Sequence, residues 1–225
     1  MENIILLKIF GNKVNAFFTG KNPGSDLYRI SKIASVKHED IYMPLQQHTD
    51  RVLILDSDLE PKIADAVITN RKGLLLGVQV ADCVPILLYD TGEDVTGVVH
   101  AGWRGTSEGI LKKTITMMMD KFYSSPSNII IAIGPSIRWC CYKVGFEVIE
   151  SVGKITGKGD YIIERGGQYC VDLPSANAYQ AISIGVLPEN IWISGECTAC
   201  LPDKYYSYRY AKGTTGRQGG FIGII

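Results

Sequence analysis

Three residues with metal-ligating or nucleophilic side chains stand at the ends of apolar runs: His48 in QQHTDRV, Cys83 in VADCVP and His100 in VTGVVH. Two imidazoles and one thiolate form a borderline-soft donor set that suits Zn²⁺, with copper as a competitor. Three protein ligands leave a fourth position for water or substrate, and a zinc held in this way lowers the pKa of its water toward about 7. The gaps between the three match no short metal motif of the C-x-x-C or H-x-x-x-H kind. The residues alone therefore leave two further readings open. One is three separate residues, a hydrogen-bonded histidine at each strand end and a buried thiol. The other is a Cys83 nucleophile with His100 as its base. The third histidine, His38, lies in the charged run KHED and reads as a solvated surface residue.

Other groups near these positions carry charge or a planar face. Asp65 and Asp82 are the carboxylates closest in motif context, suited to orienting a ligand histidine or moving a proton, and equally to closing a strand-end turn. Arg104 follows His100 just before an expected helix, and Arg217 sits in GTTGRQGG; both are anion candidates. Trp103 can stack on a planar ligand or pack as a lid. GTTGRQGG is neither a Walker loop nor a dinucleotide-binding turn, and its plain reading is a connection between the last two strands. Cys197-Thr-Ala-Cys200 is a single C-x-x-C without a partner pair and reads as a structural turn with buried thiols. Cys140, Cys141 and Cys170 carry no spacing signal.

These side chains need rigid elements to bring them together. Runs rich in Val, Ile and Leu predict strands at NIILLKIF near the N-terminus (with the whole opening MENIILLKIF read as a first strand), and at 51–55, 65–69, 74–80, 84–89, 95–100 and 128–134. Several are apolar at every position, which implies sheets covered on both faces. Helical spacing runs through 26–36, and a helix capped by Thr106 or Ser107 is expected through EGILKKTITMMMDKFY, its Met117–Met119 run serving as core or partner-facing filler. Two more helices are expected near 144–154 and 174–186, the second started by Pro174 after Asp172. Strands and helices that do not strictly alternate point to an α+β fold with more than one sheet layer.

The totals exclude some classes of function. The chain has 225 residues, enough for one large domain or two small ones. Lys plus Arg balances Asp plus Glu at 23 each, so no bulk cationic surplus exists to neutralise nucleic-acid phosphates. The most apolar stretch, GLLLGVQVADCVPILLY, contains Asp82 and Pro85 and is too short for a spanning helix. No secretory leader is legible, so six cysteines read as thiols, ligands or core residues, and a cytoplasmic protein is expected.

QQHTDRV, DAVIT, ADCVPILLYD, VVHAGWRG, IGPSIRWCCYKVG, CTAC followed by YYSYRY, and TGRQGG occur in this order across positions 46 to 220. Together they closely resemble the bacterial multicopper polyphenol oxidase, or laccase-domain, family, now described as zinc-dependent purine nucleoside phosphorylases with adenosine deaminase activity. The resemblance implies one α+β domain over 1–225, layered α/β/β/α, with zinc on His48, Cys83 and His100. It implies phosphorolysis of adenosine, inosine, guanosine and methylthioadenosine, and hydrolytic deamination of adenosine. Purine nucleosides and phosphate are then the partners, with neither nucleic acid nor membrane. Gln47 and Thr49 stand where the family commonly has valine and glycine, Tyr210 where a second basic residue is frequent, and Lys143 where glutamate is frequent; none removes an implied metal ligand. Three other functions remain open: copper-dependent phenol oxidation, Cys–His hydrolysis of a peptidoglycan precursor, and a metal-binding module without turnover.

Overall fold

The computed structural model describes residues 3–225, so the first two residues of the expected N-terminal strand lie outside the described residues. The chain begins with β1 (Ile4–Leu6), β2 (Val14–Thr19), helix α1 (Leu27–Ala34), β3 (Ile41–Tyr42), β4 (Val52–Ile54) and β5 (Ala66–Thr69). It continues through β6 (Leu75–Val80), β7 (Val84–Asp90), β8 (Val95–Ala101), α2 (Trp103–Ser107), α3 (Ile110–Phe122) and β9 (Ile129–Ile133). The last part holds β10 (Lys143–Val144), α4 (Phe146–Thr156), β11 (Ile162–Arg165), β12 (Gln168–Val171), α5 (Leu173–Ile182), β13 (Ile191–Ile193), α6 (Tyr208–Ala211) and β14 (Gln218–Ile224).

The strands form two large sheets, in the orders β1-β2-β14-β6-β3 and β13-β9-β7-β8-β5-β4, and a small third one, β10-β12-β11. Both large sheets are mixed: β3 runs parallel to β6, while β4 with β5 and β13 with β9 are the parallel pairs of the six-stranded sheet. Alternation of side chains along each strand divides the core into layers. Val84, Ile86 and Leu88 of β7 join Ile110, Leu111, Ile115 and Val152 from the helices on one face of the six-stranded sheet. Leu87 and Tyr89 of the same strand meet Leu76, Val78 and Ile222 of the five-stranded sheet on the other. Beyond that sheet, Phe17, Leu75 and Phe221 pack against Ile30 and Ala34 of α1. The order is α/β/β/α, as expected, and β7, buried at every position, is the strand whose unbroken apolar run implied two covered faces.

Local departures from expectation have clear causes. The N-terminal run is shorter than its apolar stretch, because Lys8–Phe10 winds into a 3₁₀ turn after β1. Asp26 caps α1 by accepting the Arg29 N–H at 3.1 Å, a contact worth about 1 kcal/mol. Thr106 and Ser107 do not cap the long helix. Trp103–Ser107 is already helical, and Gly109, at φ 72°, takes the left-handed turn that separates it from α3. Thr106 instead accepts the Asn177 amide through its buried hydroxyl. YYSYRY forms no strand; its second half enters α6. GTTGRQGG is therefore only partly a loop, since Gln218 already opens β14 between β2 and β6. Gly219 and Gly220 serve that packing: a Cβ on Gly219 would come within 2.8 Å of the Val78 carbonyl, and one on Gly220 within 2.8 Å of the Phe18 ring. Met118 is core, as expected of the methionine run, whereas Met119 is exposed. No helix among the described residues is long and apolar enough to cross a membrane.

Candidate metal centre and active site

His100 sits next to the end of β8, where it lies opposite Pro85 in the β7–β8 ladder. Cys83 immediately precedes β7, so one hairpin's open end carries both residues. His48 arrives from the loop before β4. The donor atoms of His48, Cys83 and His100 all lie within 4.8 Å of one another, and the two imidazoles meet edge to face with centroids 4.8 Å apart. His38, exposed in its own 3₁₀ turn, is not among them. The structure thus brings together the three residues whose sequence spacing gave no motif.

Asp65 organises this convergence from behind. Its side chain is fully buried and accepts a 2.7 Å hydrogen bond from His100 Nδ1–H. It also accepts the backbone N–H groups of Gln47, His48 and Thr49 and the Thr49 hydroxyl. One carboxylate therefore orients both histidines, one through its ring and the other through its backbone. Burial opposes the charge on Asp65, but the His100 and Thr49 hydrogen bonds override it and hold the carboxyl far below its usual range. With Nδ1 engaged, His100 offers Nε2 to the cluster. Burial likewise works against ionising Cys83, yet His100 and then His48 pull its thiol well below the ordinary value. The reciprocal interaction with Cys83, followed by Asp65, raises His100 against its own burial. A thiolate beside two imidazoles is a donor set that a divalent zinc or copper ion fits. Gly102 keeps the space beside it open, since a Cβ there would stand 3.1 Å from Cys83 Sγ and 3.4 Å from His48 Cδ2.

Two non-glycine residues of the site, His48 at φ 58° and Asp82 at φ 87°, hold left-handed backbone conformations. Such strain persists only where surrounding contacts fix it. For Asp82 those contacts are plain: its carboxylate accepts the Thr198 hydroxyl at 2.6 Å and the Arg209 N–H at 2.7 Å, and its carbonyl accepts the Ile137 N–H. Asp82 thereby ties the turn at 198 and the start of α6 to the strand end that carries Cys83.

The cluster forms one wall of a cavity of about 630 Å³, lined also by Trp103, Arg104, Tyr142, Tyr208, Arg209 and Arg217. Three of these are arginines, and Asp82 is the one carboxylate among the lining residues. Arg104 stacks its guanidinium over Trp103 at 5.1 Å, and Trp103 is half-buried against the helical core. Arg217 curls back through Nη1 onto the carbonyls of Thr215 and Gly216. Arg209 joins the site from outside the set of residues that the sequence singles out, although SYR in YYSYRY marks it. It donates to the Cys141 carbonyl at 3.0 Å and lies over the Tyr142 ring at 5.2 Å. Burial, then the Cys83 charge, pushes the Tyr142 phenol up to about 12.

The sequence profile of the family described as multi-copper polyphenol oxidoreductase laccase matches residues 25–225. The chain belongs to this family. It is 39% identical over 188 residues to a purine nucleoside phosphorylase of Clostridium acetobutylicum, spanning 82% of this chain and 77% of that one. It is 35% identical over 199 residues to the adenosine deaminase RL5 of an unknown prokaryotic organism, spanning 83% and 75%. The crystal structure of the Bacillus licheniformis hypothetical protein YfiH superposes with a TM-score of 0.91 at 27% identity, over 99% of this chain and 97% of that one.

Proposed function

We propose that this chain is a zinc-dependent purine nucleoside phosphorylase that also deaminates adenosine, acting on purine nucleosides and phosphate in the cavity beside His48, Cys83 and His100. The observation that carries the reading is the coincidence, in one cavity, of that donor set with three arginines and several aromatic side chains. His48, Cys83 and His100 would hold the zinc, which when bound supplies Lewis acidity able to activate water near neutral pH.

The chain's own residues account for the rest. Trp103, Tyr142 and Tyr208 offer flat apolar surface for a purine. Arg104 and Arg217, with Arg209 beside them, give a cationic wall for phosphate, which must reach C1′ of the ribose as the bond to the purine nitrogen breaks. Asp65 contributes by fixing His100 and the His48 backbone; it is buried behind the histidines and is a positioning group in this reading. Asp82 lines the cavity, and its engagement by Thr198 and Arg209 likewise favours a positioning role.

Phenol oxidation at a multicopper centre fits this donor set poorly. The chain has three histidines and one of them is remote, leaving two imidazoles where a dioxygen-reducing cluster needs many more. Cys–His hydrolysis has one feature in its favour, the His100 imidazole held by Asp65 beside an acidified Cys83 thiol. It leaves the second imidazole, His48, without a task.

Incubation with adenosine, with and without phosphate, tests the assignment. Adenine plus ribose 1-phosphate reports phosphorolysis, and inosine reports deamination. Neither product from fully zinc-loaded protein would overturn it. Activity that survives complete zinc removal and is abolished by alkylation of Cys83 would favour the hydrolase.

A further inference from the structure

A second group of metal-ligating side chains lies apart from the His48–Cys83–His100 set. Cys140, Cys141, Cys197 and Cys200 place their four sulfurs within 4.8 Å of one another. Two of the separations are 3.6 Å, between Cys140 and Cys200, and 3.2 Å, between Cys141 and Cys200. All four are free thiols. A tetrahedral zinc with sulfur ligands at about 2.3 Å has ligand edges of about 3.8 Å, inside this range. Clusters with bridging sulfides spread their cysteines over several iron atoms, so a group this tight suits a single ion.

From these distances we propose that Cys140, Cys141, Cys197 and Cys200 form a structural Zn²⁺ site. Four thiolates close the coordination shell and leave no open position, the arrangement of a structural zinc. The backbone around them is arranged as for a ligand knuckle. Cys197-Thr-Ala-Cys200 closes on itself, with the N–H groups of Cys200 and Leu201 both donating to the Cys197 carbonyl. On the opposite side, the N–H groups of Cys141 and Tyr142 donate to the Arg138 carbonyl. The Arg138 N–H donates to Cys197 Sγ at 3.4 Å, the kind of outer hydrogen bond that supports a metal-bound thiolate. Arg138 is itself held by a two-pronged pairing with Asp172.

The position gives the site a purpose. The segment after β9 and the turn after β13 join through a bridge between Ser136 and Cys197. The first of these segments also supplies Ile137 and Tyr142 to the cavity wall, the second leads on to α6 with Tyr208 and Arg209, and its Thr198 anchors Asp82. Arg209 donates to the Cys141 carbonyl, directly beside the sulfur cluster. A zinc here would lock two loops that otherwise hold together through few backbone bonds. The role is bracing, independent of the catalytic assignment.

The test is metal content of tag-free protein purified under reducing conditions, for wild type, Cys197→Ser/Cys200→Ser and His48→Ala/His100→Ala. Two zinc equivalents in wild type are expected, with each double variant losing one and keeping the other. Cobalt substituted into the histidine variant should give the strong visible and near-ultraviolet bands of a tetrahedral all-thiolate ion. If the serine variant fails to fold, Cys200→His, which retains a zinc-binding donor, should keep the second equivalent. One equivalent in wild type, lost only with the histidines, would overturn the proposal; so would a serine variant that keeps both. Failure of the nucleoside assays leaves this count unaffected, so the two readings fail separately.

Discussion

His100 Nδ1 lies 2.7 Å from Asp65, and the same carboxylate accepts the backbone N–H of His48. Two histidines far apart in sequence are thus set by one buried acid. Asp65→Asn keeps the shape but replaces one acceptor oxygen with a donor that opposes the N–H groups now facing it. Loss of such an orienting partner typically lowers metal affinity about 10–100-fold. Competition for zinc against a chelator should reveal this drop, together with a lower melting temperature. Unchanged zinc affinity would show that Asp65 does not position the ligands.

His100→Ala should remove both the zinc proposed for this site and all nucleoside turnover while leaving the fold intact, because His100 stands one residue before the end of β8 and lines the cavity. Far-ultraviolet dichroism, zinc analysis and the adenosine assay together check it. Chelation of wild type should give the same loss, restored by added zinc. A variant that binds zinc as wild type does would exclude His100 as a ligand.

Arg104→Ala and Arg217→Ala should separate the two chemistries. Each removes a cation from the wall proposed to hold phosphate, and a hydrogen bond to a charged group contributes about 1.5–3 kcal/mol, or roughly 10–150-fold in kcat/KM for phosphate. Deamination uses no phosphate and should fall far less. Equal losses in both reactions would place these arginines elsewhere in the mechanism.

How far the sequence foretells this arrangement varies from residue to residue. β7 and β8 announce themselves by long Val-, Ile- and Leu-rich runs, so the strand-end positions of Cys83 and His100 are legible in the amino-acid order itself. The layers follow from the same runs. Arg209 and the four-cysteine group are not legible in this way. Arg209 lies in α6, four residues long and too short to show a period, and the cysteines lie on turns. The cysteines meet because β13 lies parallel to β9 and Ser136 bridges to Cys197. Cys140 and Cys141 thereby gain the C-x-x-C as partner, a pairing set by tertiary contact rather than spacing. Capping by Thr106 or Ser107 would leave Trp103 outside the helix; the structure places it in the first turn of α2, with Gly109 providing the break before α3.

The pairing of Arg138 with Asp172 should make stability depend on pH at the acid end. Asp172 is buried at the start of α5 and accepts Arg138 Nε–H at 2.7 Å and Nη2–H at 3.0 Å, along with Ser175 and the Trp139 N–H. Burial alone would raise its carboxyl, but Arg138 and then Ser175 hold it below the ordinary value. A carboxylate depressed in the folded state binds protons more readily when unfolded. Its contribution is therefore complete above the unfolded pKa of about 4 and disappears as pH falls through the lower folded value. Removing one partner of such a pair typically costs about 3–5 kcal/mol. Asp172→Asn should thus be destabilised near neutrality, and the gap to wild type should narrow as pH falls below about 4. Urea unfolding of both chains across that range measures the gap, and acid release of metal, common to both, cancels in the difference. A gap that stays constant down the acid range would mean that ionised Asp172 contributes nothing beyond its packing.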